Sequence, residues 1–155
     1  MDDSVARSIA KWPNVPAVYG WLALDRRGNW RIKGERIANV ALREFIARNY
    51  EADARGCWYF QNGPQRVFVS LAYTPFVVHY DGESLFDHCS RPFALRETFV
   101  DEEGSVLMVD ERKIALLDDR DLARFADGGE RLPRLAKSEI PSRFGYVAEP
   151  SDSLR

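Results

Sequence analysis

The sequence predicts an α+β domain, and three observations carry that prediction. Residues 57–80 are the most aromatic and β-branched run of the chain, a composition that fits a pleated, half-buried surface better than a helix. Residues 39–55 carry the strongest 3.6-residue apolar period, with Leu42, Phe45, Ile46, Asn49 and Tyr50 on one stripe. Much of the remainder alternates short strand-like runs with turns rich in Asp, Gly and Pro. The expected architecture is a single antiparallel, strongly twisted sheet of about six to eight strands. The 39–55 helix lies across one face, and a second short helix covers 119–127. One globular domain then spans 1–130, and 131–155 forms an extended or disordered tail.

Each element has a local reason. Residues 2–11 read as a short helix with Ser4 as cap, ended by Pro13 and Pro16. Residues 18–24 read as a strand, 25–29 as its turn, and 30–33 as the antiparallel return stopped at Gly34. Asn39 is an N-cap for the main helix, Glu44–Arg48 and Glu51–Arg55 are i,i+4 ion pairs, and Gly56 suits its C-terminal end. Asn62-Gly63 supplies a tight hairpin turn, and Thr74-Pro75 separates the next two strands. Val67, Val69, Leu71 and Tyr73 share one face of the middle strand, while Phe68, Ser70 and Ala72 share the other. Both faces carry apolar groups, which marks a central strand covered on both sides. Residues 81–95 read as a long loop. Strands resume at 97–100, 105–109 and 113–117, and Asp118 or Asp119 caps the second helix, ended by Gly128-Gly129.

One pattern recurs three times: Asp25-Arg-Arg-Gly-Asn-Trp30, Asp53-Ala-Arg-Gly-Cys-Trp58 and Asp101-Glu-Glu-Gly-Ser-Val106. One turn type used three times accounts for it, since Asp favours the first turn position and Gly the left-handed one. A duplicated unit, 18–55 against 105–128, is the alternative, and the unequal spacing of the echoes speaks against a regular array.

The chain of 155 residues, 45% hydrophobic and 30% charged, suits one soluble core. It holds no apolar run long enough to span a membrane, and its acidic N-terminus lacks the pattern of a secretory signal, so a cytoplasmic protein is expected. Cys57 and Cys89 do not make a disulfide framework. The net charge of −2 hides an asymmetry, basic over 1–55 and acidic over 101–130. Phosphate-binding Gly loops and the Gly-x-Ser-x-Gly elbow are absent from the sequence, and no cofactor is expected.

Four groups of residues could carry function. Arg26, Arg27, Trp30, Arg31, Lys33 and Arg36 form a basic, aromatic hairpin of the kind that pairs phosphates and stacks bases, although strand alternation separates Arg31 and Lys33 from Trp30 and Ile32. Cys89 with His79 and His88 could make a thiol site or, with Cys57, a zinc site. No Cys-x-x-Cys or repeated His spacing supports either, and no metal is expected. The carboxylates Asp101, Glu102, Glu103, Asp110, Glu111, Asp118, Asp119 and Asp121 fall in turns and at a helix start, where acids are favoured anyway. In the tail, Ile140, Phe144, Tyr146 and Val147 could dock on a partner or back onto the domain.

The runs Gly28-Asn-Trp-Arg31 and Phe60-Gln-Asn-Gly-Pro-Gln-Arg-Val-Phe-Val69 resemble a family of small uncharacterised bacterial proteins of about this length, with no assigned activity. The resemblance covers roughly residues 5–130. It implies a bacterial, cytoplasmic protein and assigns no catalytic residue. The function expected is a non-enzymatic binding or adaptor domain with a protein partner. The alternatives are nucleic-acid or phospholigand binding through the 26–36 hairpin, and a small thiol enzyme at Cys89 and His79.

Overall fold

A computed structural model describes residues 13–111, 113–125 and 131–152. The expected helix at 2–11 and the glycine stop at 128–129 lie outside these residues. The chain separates into two compact units: one of Met1–Asp25, Asn29–Ala72 and Val147–Arg155, the other of Arg26–Gly28 and Tyr73–Tyr146.

The first unit contains β1 (Ala17–Leu24), β2 (Trp30–Ile32), β3 (Glu35–Arg36), α1 (Val40–Arg48), β4 (Tyr50–Ala52), β5 (Trp58–Asn62) and β6 (Gln65–Leu71). They form a six-stranded sheet in the order β3-β2-β1-β6-β5-β4. Leu22, Leu24, Phe60, Val67 and Val69 are buried in it, as are Leu42 and Ile46 of α1. Phe45 of α1 meets Phe60 of β5 edge-on, with ring centroids 5.4 Å apart.

The second unit contains β7 (Phe76–Tyr80), β8 (Leu85–Asp87), β9 (Glu97–Val100), β10 (Val106–Asp110), β11 (Lys113–Leu117), a 3-10 turn at Asp119–Asp121, α2 (Leu122–Phe125), a 3-10 turn at Lys137–Glu139 and α3 (Ile140–Phe144). Its five strands run in the order β8-β7-β11-β10-β9. β10 and β11 are buried almost end to end, the continuous apolar pattern of strands covered on both faces.

Four expectations need correction. There are two mixed sheets where one antiparallel sheet was expected, because β1 pairs in parallel with β6 and β7 in parallel with β11. The main helix ends at Arg48, well short of 55. Asn49 leaves helical geometry, its backbone N–H donating to the Ile46 carbonyl and its side-chain Nδ2 to the Phe45 carbonyl, and Tyr50 enters β4. Tyr50 fitted the helical stripe because a position eight residues on also points inward from a strand that follows. The 81–95 loop contains β8. Residues 131–152 are not extended throughout, since they hold α3, with Ile140 fully buried and Tyr146 5% exposed. The second helix is a 3-10 turn followed by four α-helical residues, and 126–130 lie outside the description.

The two units share one topology. In each, an antiparallel pair opens the unit, a three-stranded meander closes it, and the last strand lies parallel to the first. Even β3 has a counterpart, since Phe86 of β8 bridges antiparallel to Pro92 as Arg31 pairs with Arg36. The repeat therefore runs 17–71 against 76–117, a different register from 18–55 against 105–128.

The recurring Asp turn also has a defined geometry. In the Asp53 and Asp101 turns the carboxylate Oδ1 accepts from the backbone N–H two and four residues on, at 2.8 and 3.0 Å and at 2.9 and 2.9 Å. Main-chain bonds close each turn, and Gly56 and Gly104 take φ near 85° and 82°. These two turns occupy the same place in the repeat, between the first two meander strands. The Asp25 turn shares the bond from residue i+4. A further copy at Asp87 lacks the Asp-x-x-Gly signature because Ser90, with φ 64°, holds the place of glycine, while Cys89 and Arg91 supply the N–H groups to Asp87. No helix among the described residues is long and apolar enough to cross a membrane.

Candidate functional site

The basic hairpin divides between the two units. Trp30 is only 2% exposed and packs edge-on against Tyr50, so it belongs to the core. Arg31 is tied to Asp25 at 2.9 Å and to the Gly34 carbonyl at 3.0 Å. Arg26 and Arg27 belong to the second unit, while Trp30, Arg31, Lys33 and Arg36 belong to the first.

Within the first unit, Lys33 and Arg36 stand on the rim of a groove of about 360 Å³. Its apolar wall comes from Trp21 of β1, Ile32 of β2, and Ile37 and Leu42 on the way into α1. The Lys33 ammonium lies 4.3 Å from the centre of the Trp21 ring, a cation–π contact. Arg36 is exposed, and its Nε donates to Asn29 Oδ1 at 3.0 Å. Trp21 is the residue that sequence reasoning missed. The signal lay in β1 itself: Leu22 and Leu24 point inward, which turns Trp21 to the opposite face.

In the second unit, Arg26 and Arg27 line a cleft of about 420 Å³ floored by Leu116, Leu117 and Leu122. Arg27 makes a two-pronged pair with Asp119 at 2.9 and 3.2 Å. Arg26 donates to Ser105 Oγ at 2.8 Å and lies 3.8 Å from Glu103.

The thiol and metal candidates are otherwise engaged. Cys57 and Cys89 are both free, and burial, helped by the Asp87 charge, pushes the Cys89 thiol up to about 12. Such a thiol is protonated at neutral pH and is a poor nucleophile. His79 Nδ1 lies 3.1 Å from Asp118 Oδ2 and 4.0 Å from Asp121 Oδ2, a set of atoms able to hold a cation. However, the Arg120 guanidinium already donates to Asp118 Oδ2 at 2.6 Å, and the Tyr80 N–H to Asp121 Oδ2 at 3.1 Å. Burial alone would raise the Asp118 carboxyl, but the Arg120 bonds outweigh it and hold it below the usual range. The group thus ties the 3-10 turn to β7. Asp101 is a structural acid too, 3% exposed and accepting from Tyr73 Oη at 2.6 Å.

The tail residues divide. Ile140 and Tyr146 are buried in the chain's own fold, and Phe144 is half-buried. Val147 forms a parallel bridge with Cys57 and packs on the Cys57, Tyr59 and Phe68 cluster. Docking of the tail in cis accounts for these apolar groups.

The DUF2944 family model, described as "Protein of unknown function (DUF2946)", matches residues 1–151, in agreement with the resemblance to an uncharacterised family. No curated protein matches the chain. A crystal structure of a DUF1285 family protein from Silicibacter pomeroyi DSS-3 is similar at 15% identity, with a TM-score of 0.55 over 82% of this chain and 85% of that one. This likeness is one of fold. A DUF1285 family protein from Shewanella baltica OS155 matches at 13% identity and a TM-score of 0.45, over 69% of this chain and 91% of that one.

Proposed function

We propose that this chain, which belongs to the DUF2944 family of proteins of unknown function, is a non-enzymatic binding module. It takes a segment of a protein partner in the groove beside β3, and it does so in the bacterial cytoplasm. The observation that carries the reading is an apolar groove of about 360 Å³ with Lys33 and Arg36 on its rim. That volume accommodates an apolar side chain or two, and the rim cations match acidic residues flanking such an anchor. Base stacking is less well served. Trp30 is in the core, and the Trp21 ring already carries the Lys33 ammonium, which a stacked base would have to displace.

The test is a backbone amide NMR titration with an acetylated Asp-Glu-Leu-Phe-Asp-Glu peptide and, separately, with a short single-stranded oligonucleotide. Shifts clustered on 21, 32–39 and 42 with the peptide, lost in a Lys33→Glu/Arg36→Glu variant that keeps a dispersed spectrum, are the expected result. Shifts there with the oligonucleotide alone would replace this reading by the nucleic-acid one, and no shifts with either would sink both.

A further inference from the structure

We propose that the cleft of the second unit binds a small zwitterion with an apolar side chain, an α-amino acid of the leucine or phenylalanine type. This site is separate in residues from the groove beside β3 and goes beyond the binding function assigned there. It rests on how charge is arranged around the cleft. Two guanidinium groups, Arg26 and Arg27, line it together with two carboxylates, Glu103 and Asp119. These four charges cancel. A simple anion drawn to the arginines would meet Glu103 and Asp119 beside them, and a simple cation would meet the arginines. A molecule carrying both signs a few ångströms apart answers both sets at once.

The existing pairs leave room for such an exchange. The Arg27 and Asp119 side chains are 49% and 62% exposed, and those of Arg26 and Glu103 are 42% and 50% exposed. Ion pairs this open to solvent are screened and contribute little to stability, so a ligand can take over their partners at small cost. Glu103 is also shared, with Lys137 Nζ at 3.2 Å and Arg26 at 3.8 Å, so Arg26 is its weaker partner. Arg26 is held in place independently by its bond to Ser105 Oγ and by stacking 5.1 Å from the centre of the Tyr73 ring, and thus stays positioned when the acid turns to a ligand.

The floor selects the rest of the molecule. Leu116 and Leu117 of β11 close the bottom of the cleft but are only 3% and 1% exposed, so the apolar patch offered to a branched or aromatic side chain comes from half-buried Leu122 of α2. A polar zwitterion such as glycine would satisfy the charges and leave that patch wet. The cleft volume of about 420 Å³ exceeds that of a single amino acid, so the ligand need not be engulfed.

The experiment is calorimetric titration of the full chain with L-leucine, with 4-methylpentanoate, which keeps the side chain and carboxylate, and with 3-methylbutylamine, which keeps the side chain and ammonium. Saturable binding of L-leucine is expected, at least about tenfold tighter than either half-molecule, since each lacks one charge-assisted contact. Arg26→Gln and Glu103→Gln should each weaken L-leucine by about tenfold while leaving the peptide titration of the first unit unchanged, which separates loss of the cleft from loss of the fold. Equal binding of 4-methylpentanoate or of inorganic phosphate would overturn the proposal in favour of an anion site. Absence of binding by L-leucine and L-phenylalanine at millimolar concentration would remove it.

Discussion

Asp101→Ala should be among the most damaging substitutions in the second unit, and its twin Asp53→Ala should cost distinctly less. Both acids organise the same turn, with Oδ1 accepting from two backbone N–H groups. Beyond the turn, Asp53 Oδ2 accepts from the solvent-accessible Arg55 guanidinium at 2.9 Å, whereas Asp101, 3% exposed, accepts from the Tyr73 phenol, itself 6% exposed, at 2.6 Å. Hydrogen bonds to a charged group contribute about 1.5–3 kcal/mol each, and a buried hydroxyl left without a partner costs about 1–3 kcal/mol. The turn amides at Glu103 and Ser105 regain some water when released, because Glu103 and Gly104 are exposed. A loss of about 4 kcal/mol for Asp101→Ala follows, against about 2 kcal/mol for Asp53→Ala, which strands no buried phenol.

The assay must read each unit by itself. Trp21, Trp30 and Trp58 all fall in the first unit, so urea unfolding followed by tryptophan fluorescence reports Asp53→Ala. Amide exchange at Met108 and Leu116, fully or nearly buried in the second unit, reports Asp101→Ala. Equal costs for the two substitutions, or a loss under about 1 kcal/mol at Asp101, would refute the argument. The same pair has a pH signature. Burial first, and then the bond to Asp101 and its charge, raise the Tyr73 phenol well above its ordinary value; burial raises Tyr146 as well. The folded chain therefore keeps protons that the unfolded chain releases near pH 10. The stability from this source is complete below about pH 10 and declines as pH rises further, and Tyr73→Phe should make that decline shallower.

Other outcomes can be checked with single substitutions. Gly104→Ala should cost about 1–2 kcal/mol, the penalty of a left-handed residue alone, because a Cβ there meets nothing within 4 Å. Gly28→Ala should cost roughly 3 kcal/mol, since its Cβ would also lie 2.8 Å from His88 Cβ and 3.1 Å from His79 Nε2, and Ser90→Gly should change stability by less than about 1 kcal/mol; thermal unfolding ranks the three. Cys89 should react with a disulfide reagent at pH 8 at least about a hundredfold more slowly in the native protein than in urea, in keeping with a thiol pushed up to about 12, and a fast native reaction would bring the thiol-enzyme reading back.

Much of the local structure was legible in the residues because its causes are local. Asn39 caps α1 through a bond from Leu42 N–H to Oδ1 at 2.9 Å, and the apolar period of Leu42, Phe45 and Ile46 marks the packed face. The tight turn between β5 and β6 is legible too, but its two corner residues are Gly63, with φ 57°, and Pro64, because Asn62 still pairs with Gln65 in the ladder. What escaped is what depends on distant partners. Nothing in 17–24 announces that its neighbour is a parallel strand some forty residues later, and that pairing separates two mixed sheets from one antiparallel sheet. The Asp87 turn escaped for a different reason. A serine at φ 64° is held there by its surroundings, and its side chain carries no sign of that conformation. For the sites, the basic residues were legible and their counter-charges were too. Their sorting into a core Trp30, a rim Lys33 and Arg36, and a separate cleft at Arg26 and Arg27 needed the fold.

The repeat explains where the two candidate sites lie. The frame common to both units is the opening strand pair, the meander and the Asp turn between its first two strands. The groove of the first unit takes Ile37 and Leu42 from the connection that carries α1, and the second unit crosses the same place through residues 93–96 with no helix. The cleft of the second unit takes Asp119 and Leu122 from the 3-10 turn and helix that follow β11, whereas β6 leads within a few residues to β7. Each site thus draws on a segment that its sister unit lacks. A frame stabilised twice over by the same turns leaves the exposed positions of such connecting segments free to differ, since changes there do not disturb the ladder hydrogen bonds or the core. On this account, Lys33→Glu/Arg36→Glu should abolish peptide binding in the first unit while L-leucine binding in the second persists, and Arg26→Gln should do the reverse. Loss of both together, in a protein whose second-unit amides remain protected, would show that the sites are not independent and would count against the division of labour argued here.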